Sequence, residues 1–198
     1  PAGIIASEMK RDSGLAKGDR VAIVIDTFHD RRNAFYFATN PLGAEKDAQY
    51  TDNARVRNSD WNAVWECRTS IDEWGWYAEI AIPLSQLRFE STAGEATWGV
   101  NVARSIVRKN EETYWVPYPR AQGVYGFAYM SNAGVLEGLR DLPAPHRLEV
   151  VPFVAPQLGR ADDTGSSLTA ADRFGLDARL GVTSTLTADF TYRTDFAQ

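Results

Sequence analysis

Residues 20–40 read RVAIVIDTFHDRRNAFYFATN, two apolar runs on either side of a short polar segment. The first run, Arg20 to Asp26, is rich in β-branched residues, which is typical of a strand buried on both faces. The second run, Ala34 to Asn40, is rich in aromatic residues, and Pro41-Leu42-Gly43 ends it. Because only seven residues, Thr27 to Asn33, separate the runs, the pattern predicts an antiparallel hairpin.

Alternation of apolar and polar residues continues along the chain and predominates over the spacing of an amphipathic helix. Residues 62–71 and 76–82 each read as a half-exposed strand, and Pro83 ends the second because proline cannot donate to a ladder. Residues 98–103 read as a further strand, and residues 110–112 as a charged turn. The sequence therefore predicts an all-β protein.

The composition excludes several classes of protein. The chain has 198 residues, 44% of them hydrophobic, which is typical of a folded globular protein. With 21 basic against 26 acidic side chains, a net charge of −5 and no basic cluster, it is not expected to bind nucleic acid. The lone Cys67 excludes an internal disulfide and a Cys-rich zinc site. Since the chain begins at Pro1 rather than Met, we expect it to be a fragment of a longer protein.

Composition changes at residues 141–146 (DLPAPH), where two prolines indicate a stiff linker between a first domain, residues 1–140, and a second, residues 147–198. Long alternating strands follow at 174–182 and 185–193, each with one apolar and one charged face. Strands of about 9–11 residues with this pattern and a tight turn are typical of a transmembrane β-barrel, although a soluble sandwich hairpin fits the pattern too. A loop is expected from Gly159 to Ser167.

The six tryptophans indicate a carbohydrate site. A sugar ring has an apolar C–H face and a rim of hydroxyls, so its site needs aromatic plates beside Asp, Asn, Glu and Arg. Trp76 and Trp98 are in phase with apolar neighbours and are predicted to lie in the core. Trp61, Trp74 and Trp115 lie beside polar or loop residues and are the candidates for stacking.

The polar segment between the first two strands is the candidate metal site. Asp26, Asp30 and Asn33 offer oxygen ligands of the kind that Ca²⁺ prefers. The alternative is that an Asp of this segment caps the turn while Arg31 or Arg32 pairs with a neighbouring carboxylate.

Catalytic motifs are absent from the sequence: no HExxH, GxSxG or P-loop spacing occurs, and the two histidines are too few for a His-based metal triad. Paired carboxylates roughly 5–10 Å apart hydrolyse glycosidic bonds. Candidate acids for such a pair are Glu79, Glu111 and Glu112.

Three segments together resemble the family-9 carbohydrate-binding-module-like domain found at the start of a bacterial family of unknown function. They are DRVAIVIDTFHDRRNAFYFATNPLGAEKDA, DWNAVWECRTSIDEWGWYAEIAIPLSQLRF and WGVNVARSIVRKNEETYWVP. A β-barrel region follows the domain in that family, and LEVVPFV and LTADFTYRTDFAQ resemble it. The resemblance implies a jelly-roll-like β-sandwich over residues 1–140 that lacks its first strands, then the start of an outer-membrane barrel near Arg147. It also implies sugar binding between aromatic side chains, with calcium as a further ligand.

The leading hypothesis is a non-catalytic, carbohydrate-binding-like module of an outer-membrane β-barrel protein of a Gram-negative bacterium, facing the periplasm or the outside and binding an oligo- or polysaccharide. The expected site consists of two stacking aromatics and four polar contacts: Trp61, Trp115, Asp30, Arg31, Arg32 and Asn33. One alternative is a glycoside hydrolase, or a component of one, acting on xylan-type polysaccharide. The other is a structural plug or interaction domain whose aromatics are core.

Overall fold

A computed structural model describes residues 3–90, 94–142, 148–160, 168–181 and 187–192. The chain divides into two compact units, Pro1–Pro145 and His146–Gln198. The described residues are all-β, with antiparallel sheets, short 3-10 turns and no α-helix. None of the described helical turns has the length and apolarity needed to cross a membrane. Most of the expected linker, and the tight turn expected between the strands at 174–182 and 185–193, lie outside the described residues.

The first unit is built on one large antiparallel sheet with the strand order β4-β3-β2-β1-β7-β8, and β9 also pairs with β7. A separate two-stranded sheet consists of β5 and β6. The strands are β1 (Arg20–Asp26), β2 (Ala34–Thr39), β3 (Glu45–Thr51), β4 (Val56–Asn58), β5 (Glu66–Ile71), β6 (Trp76–Ala81), β7 (Ala96–Ile106), β8 (Glu111–Tyr114) and β9 (Gly134–Leu139).

The predicted β1–β2 hairpin is confirmed, with Val24 opposite Tyr36. β1 is less buried than expected, since Val24 is fully buried but Ile23 on the other face is half-buried. The charged turn expected at residues 110–112 is wrong. The 3-10 turn Val107–Lys109 and Asn110, which adopts a left-handed conformation (φ 49°), connect β7 to β8, so Glu111 already begins β8.

Each face of the large sheet carries its own hydrophobic cluster. On the first face Val24, Tyr36 and Ala48 pack with Met130 from a following 3-10 turn. On the second face Phe35, Phe37, Trp65, Phe89 and Trp98 form a cluster, and Cys67 and Ile80 of the β5–β6 hairpin pack against it. The hairpin thus covers the β2 side of the second face.

The second unit is a three-stranded antiparallel sheet of β10 (Leu148–Arg160), β11 (Leu168–Gly181) and β12 (Thr187–Tyr192), in that order. The loop expected from Gly159 is wrong at its start, because Gly159 and Arg160 still pair with β11. The register aligns three apolar rows on one face: Leu148–Leu180–Ala188, Val150–Ala178–Phe190 and Pro152–Leu176–Tyr192. The intervening rows, Glu149–Arg179–Asp189 and Val151–Asp177–Thr191, carry the charged positions.

Candidate functional site

Trp115 directly follows β8, where the chain leaves the large sheet. Its backbone N–H donates to the carbonyl of Val102, 2.8 Å away, so it extends the β7–β8 ladder by one residue. Tyr114 stacks on Phe127 of the first cluster. Because side chains alternate along a strand, Trp115 lies on the opposite, second face of the sheet. The residue is 58% exposed.

Gly134, the first residue of β9, makes the space that the Trp115 ring occupies. It pairs with Val100 on the same face. A Cβ atom added to Gly134 would lie 2.9 Å from Trp115 Cζ3 and 3.0 Å from Val116 Cγ2. The ring therefore rests against the backbone of β9 on one side while most of the residue faces solvent.

Asn101 holds the chain just after Trp115 and is 1% exposed. Its Oδ1 accepts the Val116 N–H at 2.9 Å, and its Nδ2 donates to the Val116 carbonyl at 3.0 Å and to the Phe127 carbonyl at 3.3 Å. The amide side chain thus replaces a strand partner where β8 ends. With the bond to Val102, backbone contacts fix the chain on both sides of the ring.

An open patch on the second face lies beside Trp115 in the strand register. The register places Val102 beside Ile23, and Arg104 between Val21 and Thr113. The three apolar side chains are half-buried, and those of Arg104 and Thr113 are exposed. We call this patch the Trp115 platform; its residues are Val21, Ile23, Val102, Arg104, Thr113 and Trp115.

Trp61 and Trp115 do not form one site. The Trp61 ring is half-buried in the second cluster, with centroids 5.1 Å from Phe35 and 5.9 Å from Phe37. Phe37 is separated from Trp115 by Ile23 and Val102, a distance across four strands of roughly 14 Å. A single sugar ring therefore cannot stack on both indoles.

The predicted core tryptophans are Trp98, which is buried, and Trp76, which is half-buried on the inner face of the β5–β6 hairpin. Trp74, the third stacking candidate, is 82% exposed at the tip of that hairpin. Asp72 organises this tip by accepting the N–H groups of Trp74 and Gly75 at 2.8 and 3.0 Å. Trp74 is thus a third, separate aromatic surface.

The four polar residues predicted near the sugar lie together in the β1–β2 loop. Asp30 Oδ1 accepts the N–H groups of Arg32 and Asn33 at 2.7 and 2.9 Å, and Asp30 Oδ2 accepts the Asn33 amide at 2.5 Å. Arg32 also donates to Asp52 at 3.1 Å, and Arg31 adopts a positive φ of 59°. These side chains organise the loop itself and are not part of the Trp115 platform.

The carboxylate of Asp26 is likewise directed at its own loop. It is fully buried and accepts the Arg31 N–H at 2.7 Å and the Asp30 N–H at 3.3 Å. Burial raises the pKa of Asp26, and the backbone donors act against that rise. Within the described residues no group of three or more His, Cys, Asp or Glu side chains is arranged to hold a metal ion. Asp26 and Asp30, the residues predicted for calcium, are thus satisfied by backbone N–H groups.

The three candidate acids are not brought together. Glu112 accepts Arg20 at 2.6 Å, Ser105 at 3.1 Å and the Tyr114 hydroxyl at 2.7 Å on the first face of the sheet. Glu111 lies on the second face, 3.9 Å from Lys109, and Glu79 belongs to the separate β5–β6 sheet. No two of these carboxylates share a face of one sheet.

Comparisons with protein-family models, with curated proteins and with solved structures return no match to this chain. Sequence reasoning missed Asn101, Gly134 and Arg104. Asn101 and Arg104 lie in a strand that was predicted, but their roles depend on β8, whose first residues were read as a turn.

Proposed function

We propose that the first unit is a non-catalytic carbohydrate-binding module of the β-sandwich type, and that a sugar ring of an oligo- or polysaccharide stacks on Trp115. The observation that carries this proposal is the combination of a fixed backbone with an open ring. Trp115 is 58% exposed although contacts to Val102, Asn101 and Gly134 hold its surroundings. A preorganised aromatic plate loses little conformational entropy when a ligand binds.

The rest of the Trp115 platform also suits a sugar. Val102 and Ile23 continue the apolar surface beside the ring, whereas Thr113 and Arg104 supply hydrogen-bonding groups at its edge. An apolar plate with a few polar groups at its margin matches the two kinds of surface that a pyranose presents.

We further propose that the second unit supplies strands to an outer-membrane-type β-barrel, with the three apolar rows facing lipid. Phe190 is 61% exposed, and Leu148, Val150 and Tyr192 on the same face are also exposed. The next rows over carry Glu149, Asp177 and Asp189, as expected of strands with lipid on one side and water on the other.

A glycan array probed with the full chain in mild detergent tests the sugar-binding proposal. We expect binding to at least one glycan, and loss of that binding in W115A. The matched control is W74A, which removes a more exposed indole from the hairpin tip and should bind like the native chain. The proposal fails if the native chain binds no glycan, or if the two variants lose binding equally.

Sedimentation with phosphatidylcholine vesicles tests the membrane proposal. Val150 and Val151 are neighbours on β10 with nearly equal exposure, 50% and 47%, but they lie on the apolar and the charged face, respectively. We expect V150D to weaken vesicle binding at least tenfold and V151D to leave it nearly unchanged. Equal behaviour of the two variants would count against a lipid-facing surface.

A further inference from the structure

The Trp115 platform carries a cation beside its aromatic ring. Arg104 lies opposite Thr113 in the β7–β8 register, so Trp115, two residues after Thr113, is its diagonal neighbour. Diagonal neighbours on one face of an antiparallel pair lie roughly 7 Å apart, within reach of a long side chain. The Trp115 ring extends the other way, toward Gly134 opposite Val100, so the guanidinium and the indole flank the Val102 position from opposite sides.

The guanidinium of Arg104 is not used elsewhere in the described part of the chain. It forms no ion pair and no side-chain hydrogen bond with any residue in the described ranges. On this face of β1, β7 and β8 the other charged side chain is Glu111, which lies 3.9 Å from Lys109 Nζ. Elsewhere in the first unit, by contrast, Arg11, Arg20 and Arg32 each bind a carboxylate.

We propose that the sugar bound at Trp115 is an acidic one, and that Arg104 binds its carboxylate; this inference rests on the proposed function. A uronic acid has a carboxylate at the rim of its pyranose ring, so stacking of the ring on the indole directs the carboxylate sideways. Arginine offers a planar fork of N–H donors that matches a carboxylate in a bidentate arrangement. Glycans rich in glucuronic, galacturonic or mannuronic acid are therefore the ligand class.

The charge next to the ring matters more for a bound carboxylate than the net charge of the chain does. At −5 the protein as a whole repels a polyanion. Beyond about 8 Å at physiological ionic strength that repulsion is largely screened, so the charge next to the ring determines whether a carboxylate is accepted. Binding should consequently weaken as salt is added, because an exposed arginine–carboxylate pair is itself screened.

The test uses tetrasaccharides of glucuronic, galacturonic and mannuronic acid, each paired with its fully methyl-esterified form, and the full chain in mild detergent. Esterification removes the charge and keeps the ring, so it isolates the contribution of the carboxylate. We expect at least one acid to bind at least tenfold more tightly than its ester at 50 mM NaCl, and the ratio to shrink at 500 mM. R104Q should abolish the preference, while W115A should abolish binding of both forms. The control R68Q removes an equal charge from the β5–β6 hairpin and should keep the preference.

The inference is overturned if acid and ester bind equally, if R104Q and R68Q behave alike, or if none of the acids binds. Its failure is distinguishable from failure of the proposed function. Binding of a neutral glycan that requires Trp115 but not Arg104 would retain the module and remove only its preference for acidic sugars.

Discussion

The side chain of Asn101 binds the backbone of Val116 through both ends of its amide: Oδ1 accepts the Val116 N–H at 2.9 Å, and Nδ2 donates to the Val116 carbonyl at 3.0 Å. The same Oδ1 accepts the Val102 N–H at 2.9 Å. A single buried amide thus links the centre of the large sheet to the residue next to Trp115. It is a positioning residue, since it acts on the platform through the backbone.

N101L is therefore expected to affect stability and binding together. Leucine has a similar volume but leaves the Val116 backbone groups buried without partners, at a cost of about 1–3 kcal/mol for each group. We expect the free energy of unfolding, measured with urea, to fall by about 3 kcal/mol, and glycan affinity to fall at least tenfold in the folded variant. The exposed Asn62→Leu is the control. Full affinity in a destabilised N101L would show that Asn101 stabilises the fold without positioning Trp115.

G134A tests whether the close packing of the Trp115 ring against Gly134 matters for binding. Gly134 does not need a positive φ, so alanine is allowed by the backbone and acts only through its Cβ, which would lie 2.9 Å from the ring. The ring must shift, at a cost of about 1 kcal/mol as for mild overpacking, and we expect glycan affinity to fall several-fold. Alanine at Gly75 meets no atom within 4 Å and is the matched control. Unchanged affinity in G134A would mean that the ring position is not critical.

The two central strands could be predicted from the sequence because of their composition. β1 and β2 sit in the middle of the large sheet, so their residues are apolar on each face and form a continuous hydrophobic run. β3, which reads EKDAQYT, has no such pattern. Its Asp47 is buried only because Arg11 and Trp65, remote in sequence, supply a cation and an N–H donor.

Of the candidate site, the sequence identified Trp115 but not the residues that lie around it. Polar neighbours in the sequence singled out Trp61 and Trp115 alike, but Trp61, between β4 and β5, packs against Phe35 and Phe37 of β2. Local sequence does not report which residue lies opposite in a neighbouring strand. Arg104 approaches Trp115 only through the β7–β8 register, which no motif encodes.

R11M tests how the buried Asp47 is tolerated. Asp47 is 1% exposed and is bound by Arg11 and by the Trp65 indole N–H at 2.8 Å. Burial raises the pKa of Asp47, although the Trp65 hydrogen bond and the Arg11 charge act in the opposite direction. Removing one partner of a buried pair leaves an uncompensated charge. We therefore expect R11M to lower the free energy of unfolding by about 3 kcal/mol at pH 7.

The pH dependence of R11M follows from the sign of that shift. A carboxyl whose folded pKa is raised contributes stability that is present below its unfolded value and lost as pH rises through the folded value. The loss in free energy of unfolding that R11M causes should therefore become smaller as the pH falls from 7 toward 4. Urea unfolding of both proteins at each pH measures it. R55M, which breaks an exposed pair with Asp52, should change stability by less than about 1 kcal/mol at any of these pH values. A deficit in R11M that stays constant with pH would point to lost packing rather than to the Asp47 charge.

Tyr36 makes the fold sensitive to alkali. Burial raises the pKa of Tyr36 to about 12 from its ordinary 10.0, and the neighbouring Tyr50 adds to the rise. Between pH 10 and 12 the unfolded chain releases this phenolic proton while the folded chain retains it, so the folded state loses stability as the pH rises. At pH 11 the loss from this group is about 1.4 kcal/mol, the equivalent of one pH unit. Y36F lacks the proton and should lose correspondingly less between pH 8 and pH 11 in urea unfolding. Tyr50 and Tyr114, whose pKa values are also raised, are present in both proteins. The difference between the native and Y36F curves of stability against pH therefore isolates Tyr36. Identical curves would rule out a protonated, buried phenol at this position.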